Sequence, residues 1–242
     1  MEVRWLEQTE ADVPEGSEWL SAPEAARLNG MRFIKRRTDW RLGRWTAKRA
    51  TAGYLNLADP GALAGIEIRP APSGAPEVFL ADQPAPVAIS LSHCGGTAVC
   101  AIAPSGTALG CDLERIEPRS AAFVADYFSS WEQELVSRAP AADRPRLTTL
   151  IWSAKESALK ALRVGLRVDT RSVIVDLADT TRQPGRNGWF PLDVRNTGGG
   201  HFHGWWQDAS YLMRTMVSDP QARPPRRISR SPQAPRILRE ER

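Results

Sequence analysis

The sequence predicts an α+β protein built from two similar halves, each a small, mainly antiparallel sheet packed by helices. Segments with helical periodicity precede short apolar segments, and this order occurs twice along the 242 residues. Gly- and Ser-containing turns separate the short segments, which favours antiparallel pairing of neighbouring strands. Hydrophobic residues make up 42% and charged residues 25% of the chain, as in globular proteins that bury a core.

The first half is predicted to span residues 1–107. Residues 22–57 have a helical pattern that is broken near Asn29-Gly30. The segment 66–80 contains strand fragments interrupted by Pro and Gly, and 87–116 predicts three short strands, the last of which enters the second half. In the helical segment, basic residues at i, i+4, i+7 and i+11 share one helix face: Arg37, Arg41, Arg44 and Lys48.

The second half is predicted to span residues 108–219. Its helices are expected at about 120–138 and 146–163, followed by strands at 171–177 and 210–218. The Gly-rich stretch NTGGGHFHGWW precedes the last strand. His201 and His203 alternate within it and could chelate a metal, but the favoured interpretation is a solvated loop.

The last segment, 220–242, is predicted to be a disordered tail rich in Pro and Arg. Its seven arginines outweigh two glutamates by more than the net charge of +4 of the whole chain. The rest of the protein is therefore slightly acidic, although the pI is near 9.2. This distribution disfavours nucleic acid as the partner.

Cysteine usage and hydropathy indicate a reduced, cytoplasmic protein. The cysteines at 94, 100 and 111 are odd in number and lack CxxC spacing. No apolar run approaches the roughly 20 residues that span a bilayer, and the stretch MEVRWLEQTEADVPEG lacks a signal-peptide core. We expect neither a membrane association nor a secretory signal.

Two segments carry clustered ionisable residues. Asp112 and Glu114, in GCDLERI, stand at i and i+2, so on a strand both side chains leave the same face. Trp152, Glu156 and Lys160 share a face of the later helix. Spacing alone leaves two interpretations open: a Mg²⁺ site made of three carboxylates, or a solvated Glu–Lys pair.

Three motifs in order, SLSHCGG, GCDLERI and WSAKESALK, resemble those of the Sfp-like 4′-phosphopantetheinyl transferases, with KRRTDWRLGRWTAK upstream. The resemblance covers most of residues 30–218. It implies a single-chain, monomeric pseudo-dimer that binds coenzyme A in the cleft between its halves. It also implies Mg²⁺-dependent transfer of the 4′-phosphopantetheine arm to a serine of an apo acyl or peptidyl carrier protein, with release of 3′,5′-ADP.

The resemblance also assigns roles to residues. Asp112, Glu114 and Glu156 match the family's metal ligands, and Glu156 is the candidate base for the carrier serine, with Lys160 and Asp112 as further catalytic residues. Residues expected to bind coenzyme A are Arg36 and Arg44 at the 3′-phosphate, Lys155 and Lys160 at the pyrophosphate, and Ser92 and His93 at a phosphate.

One departure and two alternatives remain. Many family members have Lys or Arg in a turn where this chain has Ala75, and Arg69 is one candidate to supply the missing contact. The alternatives are a non-catalytic carrier-binding relative and a Mg²⁺-dependent nuclease. The nuclease is disfavoured because its motif has a lysine two residues after the acid, where this chain has Ile116 after Glu114. The pathway served, whether fatty-acid, polyketide or nonribosomal peptide synthesis, is not specified by the sequence.

Overall fold

The helices begin and end close to the predicted positions. The computed structural model describes residues 1–57, 62–164, 168–177 and 188–229. In that part of the chain the helices are α1 (Ala22–Asn29), α2 (Ile34–Leu55), α3 (Ala62–Gly65), α4 (Ala121–Tyr127), α5 (Ser130–Arg138) and α6 (Arg144–Ala161).

The strands form three sheets. Their bounds are β1 (Arg4–Thr9), β2 (Ile66–Pro70), β3 (Pro76–Leu80), β4 (Gln83–Pro84), β5 (Val87–Cys94), β6 (Thr97–Pro104), β7 (Ala108–Arg115), β8 (Val173–Asp176), β9 (Phe190–Asn196), β10 (His201–Ala209), β11 (Leu212–Asp219) and β12 (Arg226–Arg227). The sheet orders are β12-β1-β6-β5, β2-β3-β4 and β7-β11-β10-β9-β8. Only β1 and β12 pair in parallel, among the strands described.

This architecture confirms the predicted α+β class with small antiparallel sheets. Two details differ from the expectation. The single helix predicted at 120–138 is two helices, because Ser129 caps α5 and its side chain accepts a hydrogen bond from the backbone of Glu132. The Gly-rich stretch is not a loop throughout: its histidines lie on β10, which pairs with β9 and β11.

Three apolar clusters organise the interior. One lies between α2 and the strands before residue 107, and a second lies between α6 and the five-stranded sheet. The third cluster joins the two large sheets, because Trp5 and Val99 pack there with Leu113 and Met216. The two predicted halves thus share a core, and the boundary between them at residue 107 stays a prediction.

A buried ion pair fastens α1 to α2. Glu24 forms a capping box with Ser21, and its Oε2 lies 2.5 Å from Nζ of Lys48, which is fully buried. The lysine also donates to the carbonyls of Trp19 and Leu63, both at 3.0 Å. Burial lowers the pKa of Lys48, and the paired carboxylate partly restores it.

The same arrangement fastens α5 to α6. Glu132 forms a capping box with Ser129, and its Oε2 lies 2.8 Å from Nζ of Lys155, with both side chains fully buried. Lys155 donates to the carbonyls of Thr170 and Val173. Burial lowers the pKa of Lys155 in the same way.

The two networks also match at their third contact. In each, the second carboxylate oxygen accepts a hydrogen bond from a strand backbone, Ile68 to Glu24 at 3.1 Å and Val175 to Glu132 at 2.9 Å. The lysines end the tetrapeptides WTAK (45–48) and WSAK (152–155). The halves therefore repeat at the level of individual residues, and Lys48 belongs to the interior rather than to an exposed basic face.

The start of the C-terminal tail is ordered. β12 pairs with β1, Ile228 donates its N–H to the carbonyl of Trp5 at 2.7 Å, and Ile228 packs into the first apolar cluster. The expectation of disorder from residue 220 is therefore wrong for 220–229, because backbone pairing and an apolar anchor hold it. Residues 230–242 lie outside the described part of the chain.

Within the described ranges, no helix combines the length and the apolarity needed to cross a membrane.

Candidate active site

The two acids of GCDLERI lie on one face of β7. Alternate residues of this strand, including Cys111 and Leu113, enter the core shared by the two large sheets. Asp112 and Glu114 therefore lie on the opposite face, where α6 packs. Asp112 is buried, with 3% of its surface exposed.

Gly110 allows α6 to approach this strand. A Cβ placed at residue 110 would lie 1.7 Å from the carbonyl oxygen of Ser157 on α6. Any side chain there would push the helix away from β7. The close approach places Glu156 and Lys160, on the same helix, beside the strand acids.

Asp112 is the centre of the site. Its Oδ1 accepts hydrogen bonds from Lys160 Nζ at 2.7 Å and from Ser92 Oγ at 2.8 Å. The other oxygen, Oδ2, is buried with no hydrogen-bond partner among the described residues. Although burial lowers the pKa of Lys160, the attraction of Asp112, Cys111 and Glu156 outweighs burial and raises that pKa above its ordinary value.

The two glutamates have raised pKa values. Burial is the main cause for both Glu114 and Glu156, and the negative charge of Asp112 adds to it. The rise in the pKa of Glu114 is partly offset, because this carboxylate accepts hydrogen bonds from Arg119 at 3.0 Å and from Trp152 at 3.2 Å. Glu156 Oε1 is buried without a hydrogen-bond partner in the described part of the protein.

The acids fit a hard divalent cation by their chemistry. Two buried carboxylate oxygens, Asp112 Oδ2 and Glu156 Oε1, lack donors, and hydrogen-bonded carboxylates such as Glu114 keep lone pairs for a further ligand. Mg²⁺ prefers such oxygen ligands. Among the described residues, the group of metal-ligating side chains whose ligand atoms all lie within 4.8 Å of one another is Asp193, His201 and His203. The three acids do not form such a group.

Lys155 does not belong to this site. Its ammonium group is fully buried on the other side of α6 and is held by Glu132 and two carbonyls. The expectation that Lys155 binds coenzyme A is therefore wrong, because no ligand can reach it without breaking this network. Glu132 has a structural role, since it holds Lys155 and accepts a hydrogen bond from the backbone of Val175.

Ser92 and His93 occupy different positions. Ser92 is half-buried and donates to Asp112, so it orients the central acid. His93, the next residue of β5, is exposed on the other face of the strand. Whether either contacts phosphate stays a prediction.

Arg36 and Arg44 lie on α2, eight residues or about 12 Å apart along the helix axis. Arg36 is exposed. The Arg44 side chain is only 13% exposed, with Nε 3.8 Å from Glu24 Oε1 and its guanidinium over the ring of Trp40. Burial lowers the pKa of Arg44. Their assignment to the 3′-phosphate stays a prediction.

A cavity of about 280 Å³ lies beside Lys160 and extends to the turn that contains Ala75. Arg163 also lines this cavity, and its Nη1 lies 3.2 Å from Glu77. Arg69, by contrast, is already paired with two carboxylates, Glu67 and Asp82. Sequence reasoning missed Arg163 and Arg119, since neither belongs to a motif. Only the folded chain places Arg119 against Glu114 and Arg163 at this cavity.

Comparison with known proteins bears on the segment that carries this site. No curated protein matches the chain significantly. The family model ACPS, the 4′-phosphopantetheinyl transferase superfamily, matches residues 108–211, which include Asp112, Glu114, Glu156 and Lys160. The chain thus contains a 4′-phosphopantetheinyl transferase superfamily domain over residues 108–211.

Proposed function

We propose that this chain is an Sfp-like phosphopantetheinyl transferase. It moves the 4′-phosphopantetheine arm of coenzyme A to a serine hydroxyl of an apo acyl or peptidyl carrier protein and releases 3′,5′-ADP. The observation that carries the proposal is the pocket around Asp112. The superfamily match includes all four of its ionisable residues, and two of its buried carboxylate oxygens lack a donor.

Asp112, Glu114 and Glu156 would hold Mg²⁺. When bound, the ion supplies positive charge that offsets the negative charge developing on the pyrophosphate oxygens during phosphoryl transfer. The donor set is consistent with this role, because carboxylates that repel one another in a desolvated pocket gain from a shared cation.

Glu156 is the proposed base. The carrier serine hydroxyl gives its proton to a carboxylate oxygen of Glu156, and the serine oxygen forms a bond to the β-phosphorus of coenzyme A. The bond from that phosphorus to the bridging oxygen of 3′,5′-ADP breaks, and the electron pair leaves with the nucleotide. Its buried Oε1 has no hydrogen-bond donor among the described residues, so this oxygen can accept the proton.

Lys160 and Arg163 supply fixed positive charge. Lys160 carries a proton that Asp112 holds in place, so its ammonium group is a stable point charge next to the acids. Arg163 lines the same cavity and is half-exposed, so its guanidinium is accessible to a ligand. We propose that Arg163, rather than Arg69, supplies the contact that Ala75 cannot make.

Arg36 and Arg44 are proposed to bind the adenosine 3′-phosphate. Their replacement by alanine should raise the KM for coenzyme A by roughly ten- to a hundredfold, the value of one or two charge-assisted hydrogen bonds. The KM for dephospho-coenzyme A, which lacks that phosphate, should change much less. An equal loss for both substrates would contradict the assignment.

The remaining expectations are proposals too. A cytoplasmic location agrees with the three free cysteines, two of which are buried. A monomer is proposed from the resemblance to the family. The proposed partners are the carrier proteins of polyketide or nonribosomal peptide synthesis. Neither a membrane nor nucleic acid is proposed as a partner.

The test is incubation of the protein with coenzyme A, Mg²⁺ and a panel of apo carrier proteins, followed by intact-mass spectrometry of each carrier. We expect one carrier class to gain a single phosphopantetheine group at its serine. If no carrier gains mass while carriers still bind, the chain is a non-catalytic relative. Cleavage of DNA or RNA in the same buffer would instead support the nuclease interpretation.

A further inference from the structure

A second cluster of metal-ligating side chains lies away from the acid pocket, the group formed by Asp112, Glu114, Glu156 and Lys160. His201 and His203 stand at i and i+2 on β10, so both rings project from one face. Asp193 on β9 is directly opposite His203 in the antiparallel register. These three residues belong to the face of the sheet opposite to α6, because Phe202 and Trp206 fill the side on which that helix packs.

The ligand atoms of the cluster converge. Asp193 Oδ1 lies 2.6 Å from His203 Nδ1 and 3.4 Å from His201 Nε2. One ligand atom from each residue can be chosen so that all three lie within 4.8 Å of one another, and the two rings have centroids 4.4 Å apart. The side chains of His201, His203 and Asp193 are 47%, 38% and 48% exposed, which leaves the site open to an ion and to water ligands.

We propose that Asp193, His201 and His203 bind a borderline transition-metal ion, with Zn²⁺ as the representative, at a surface site separate from the acid pocket. Two imidazole nitrogens and one carboxylate oxygen are a donor set for Zn²⁺, Co²⁺, Ni²⁺ or Cu²⁺. Mg²⁺, in contrast, prefers oxygen ligands alone. Donor chemistry therefore separates the two sites.

The surroundings permit the site. The nearest basic side chain in register is Arg195, which is opposite His201, and its guanidinium is engaged by Asp176 at 2.8 Å. The ligands come from adjacent strands joined by a short turn, so little chain entropy is lost when an ion brings them together. A bound ion would link β9 to β10 near the turn that joins the two strands.

The test is calorimetric titration of the metal-free, full-length protein with Zn²⁺ near pH 7.5, in buffer that already contains millimolar Mg²⁺ to saturate oxygen sites. We expect one Zn²⁺ per chain. The double variant His201→Ala/His203→Ala should weaken that binding by about tenfold or more, as expected on loss of metal ligands. Glu156→Gln should keep it, which separates this site from the acid pocket.

Two controls keep the result interpretable. Cys94→Ser should bind Zn²⁺ as the wild type does, since Cys94 is the free cysteine that is not fully buried. The melting temperature without metal should be equal for wild type and double variant, and Zn²⁺ should raise it only in the wild type. Equal Zn²⁺ affinity in the double variant, absence of binding to the wild type, or loss of binding in Glu156→Gln would overturn the proposal.

Discussion

Replacement of Glu156 by glutamine should stabilise the protein in the absence of divalent metal. The wild-type residue keeps a buried carboxylate oxygen without a donor, close to the charge of Asp112. Such a group costs about 1–3 kcal/mol, and the amide removes the charge at nearly the same shape. Part of the gain is offset by the lost attraction to Lys160. We expect a net gain of about 1 kcal/mol, or roughly 2–4 °C in melting temperature for a chain of this size.

The gain should depend on pH in a defined direction. The pKa of Glu156 is higher in the folded than in the unfolded protein, so ionisation of this residue lowers the free energy of unfolding as the pH rises. Below the unfolded-state pKa of about 4.3 the residue is protonated in both states and this loss is absent. The difference between variant and wild type should therefore be fully present near about pH 8 and shrink towards about pH 5. Thermal melts in EDTA at both pH values measure it.

Magnesium should reverse the order. An ion that binds only the folded wild type stabilises it by about 2.7 kcal/mol at a hundred times its dissociation constant, and the variant should gain less. The matched control is Glu134→Gln, since Glu134 is an exposed glutamate paired with Arg138 and far from Asp112 in sequence. A variant that is less stable than the wild type at high pH in EDTA, or that gains equally from Mg²⁺, would refute the reasoning.

Two further predictions concern the fold. Lys155→Met should lower the free energy of unfolding by about 3–5 kcal/mol, because it leaves Glu132 as an unpaired buried charge. Urea titration measures this loss, and a value under about 1 kcal/mol would contradict the proposed role of the pair. Truncation after Asp219 should lower the melting temperature by several degrees, because it removes Ile228 from the apolar cluster, whereas truncation after Ser229 should not. Equal melting temperatures for both truncations would show that the docked segment contributes nothing.

The sequence was sufficient for the fold class and for the members of the acid pocket. Periodicity and turns predicted the α+β arrangement, and motif order predicted that Asp112, Glu114, Glu156 and Lys160 belong together. The close approach of α6 to β7 was implicit in the glycine of GCDLERI, because no other residue fits there. The residue-level repeat between the halves is also visible in the sequence, since WTAK and WSAK differ at one position.

Other features required the folded chain. Lys155 has the sequence context of a ligand-binding lysine, and its burial depends on Glu132 and on carbonyls at residues 170 and 173 that no local pattern reveals. Arg163 reaches the cavity only because α6 ends beside the first half. The prediction of disorder from residue 220 was wrong for 220–229 because composition cannot show that a single isoleucine, Ile228, packs into the first apolar cluster.

The most direct test of the central claim, that the pocket around Asp112 performs phosphopantetheine transfer, is the rate of holo-carrier formation by wild type and Glu156→Gln. Both are assayed by intact mass with coenzyme A, Mg²⁺ and the same apo carrier, alongside Glu134→Gln. We predict a rate for Glu156→Gln that is lower by about 10²–10⁴-fold, as expected on loss of a catalytic base, and a normal rate for the control. Near-normal transfer by a folded Glu156→Gln protein would contradict the claim.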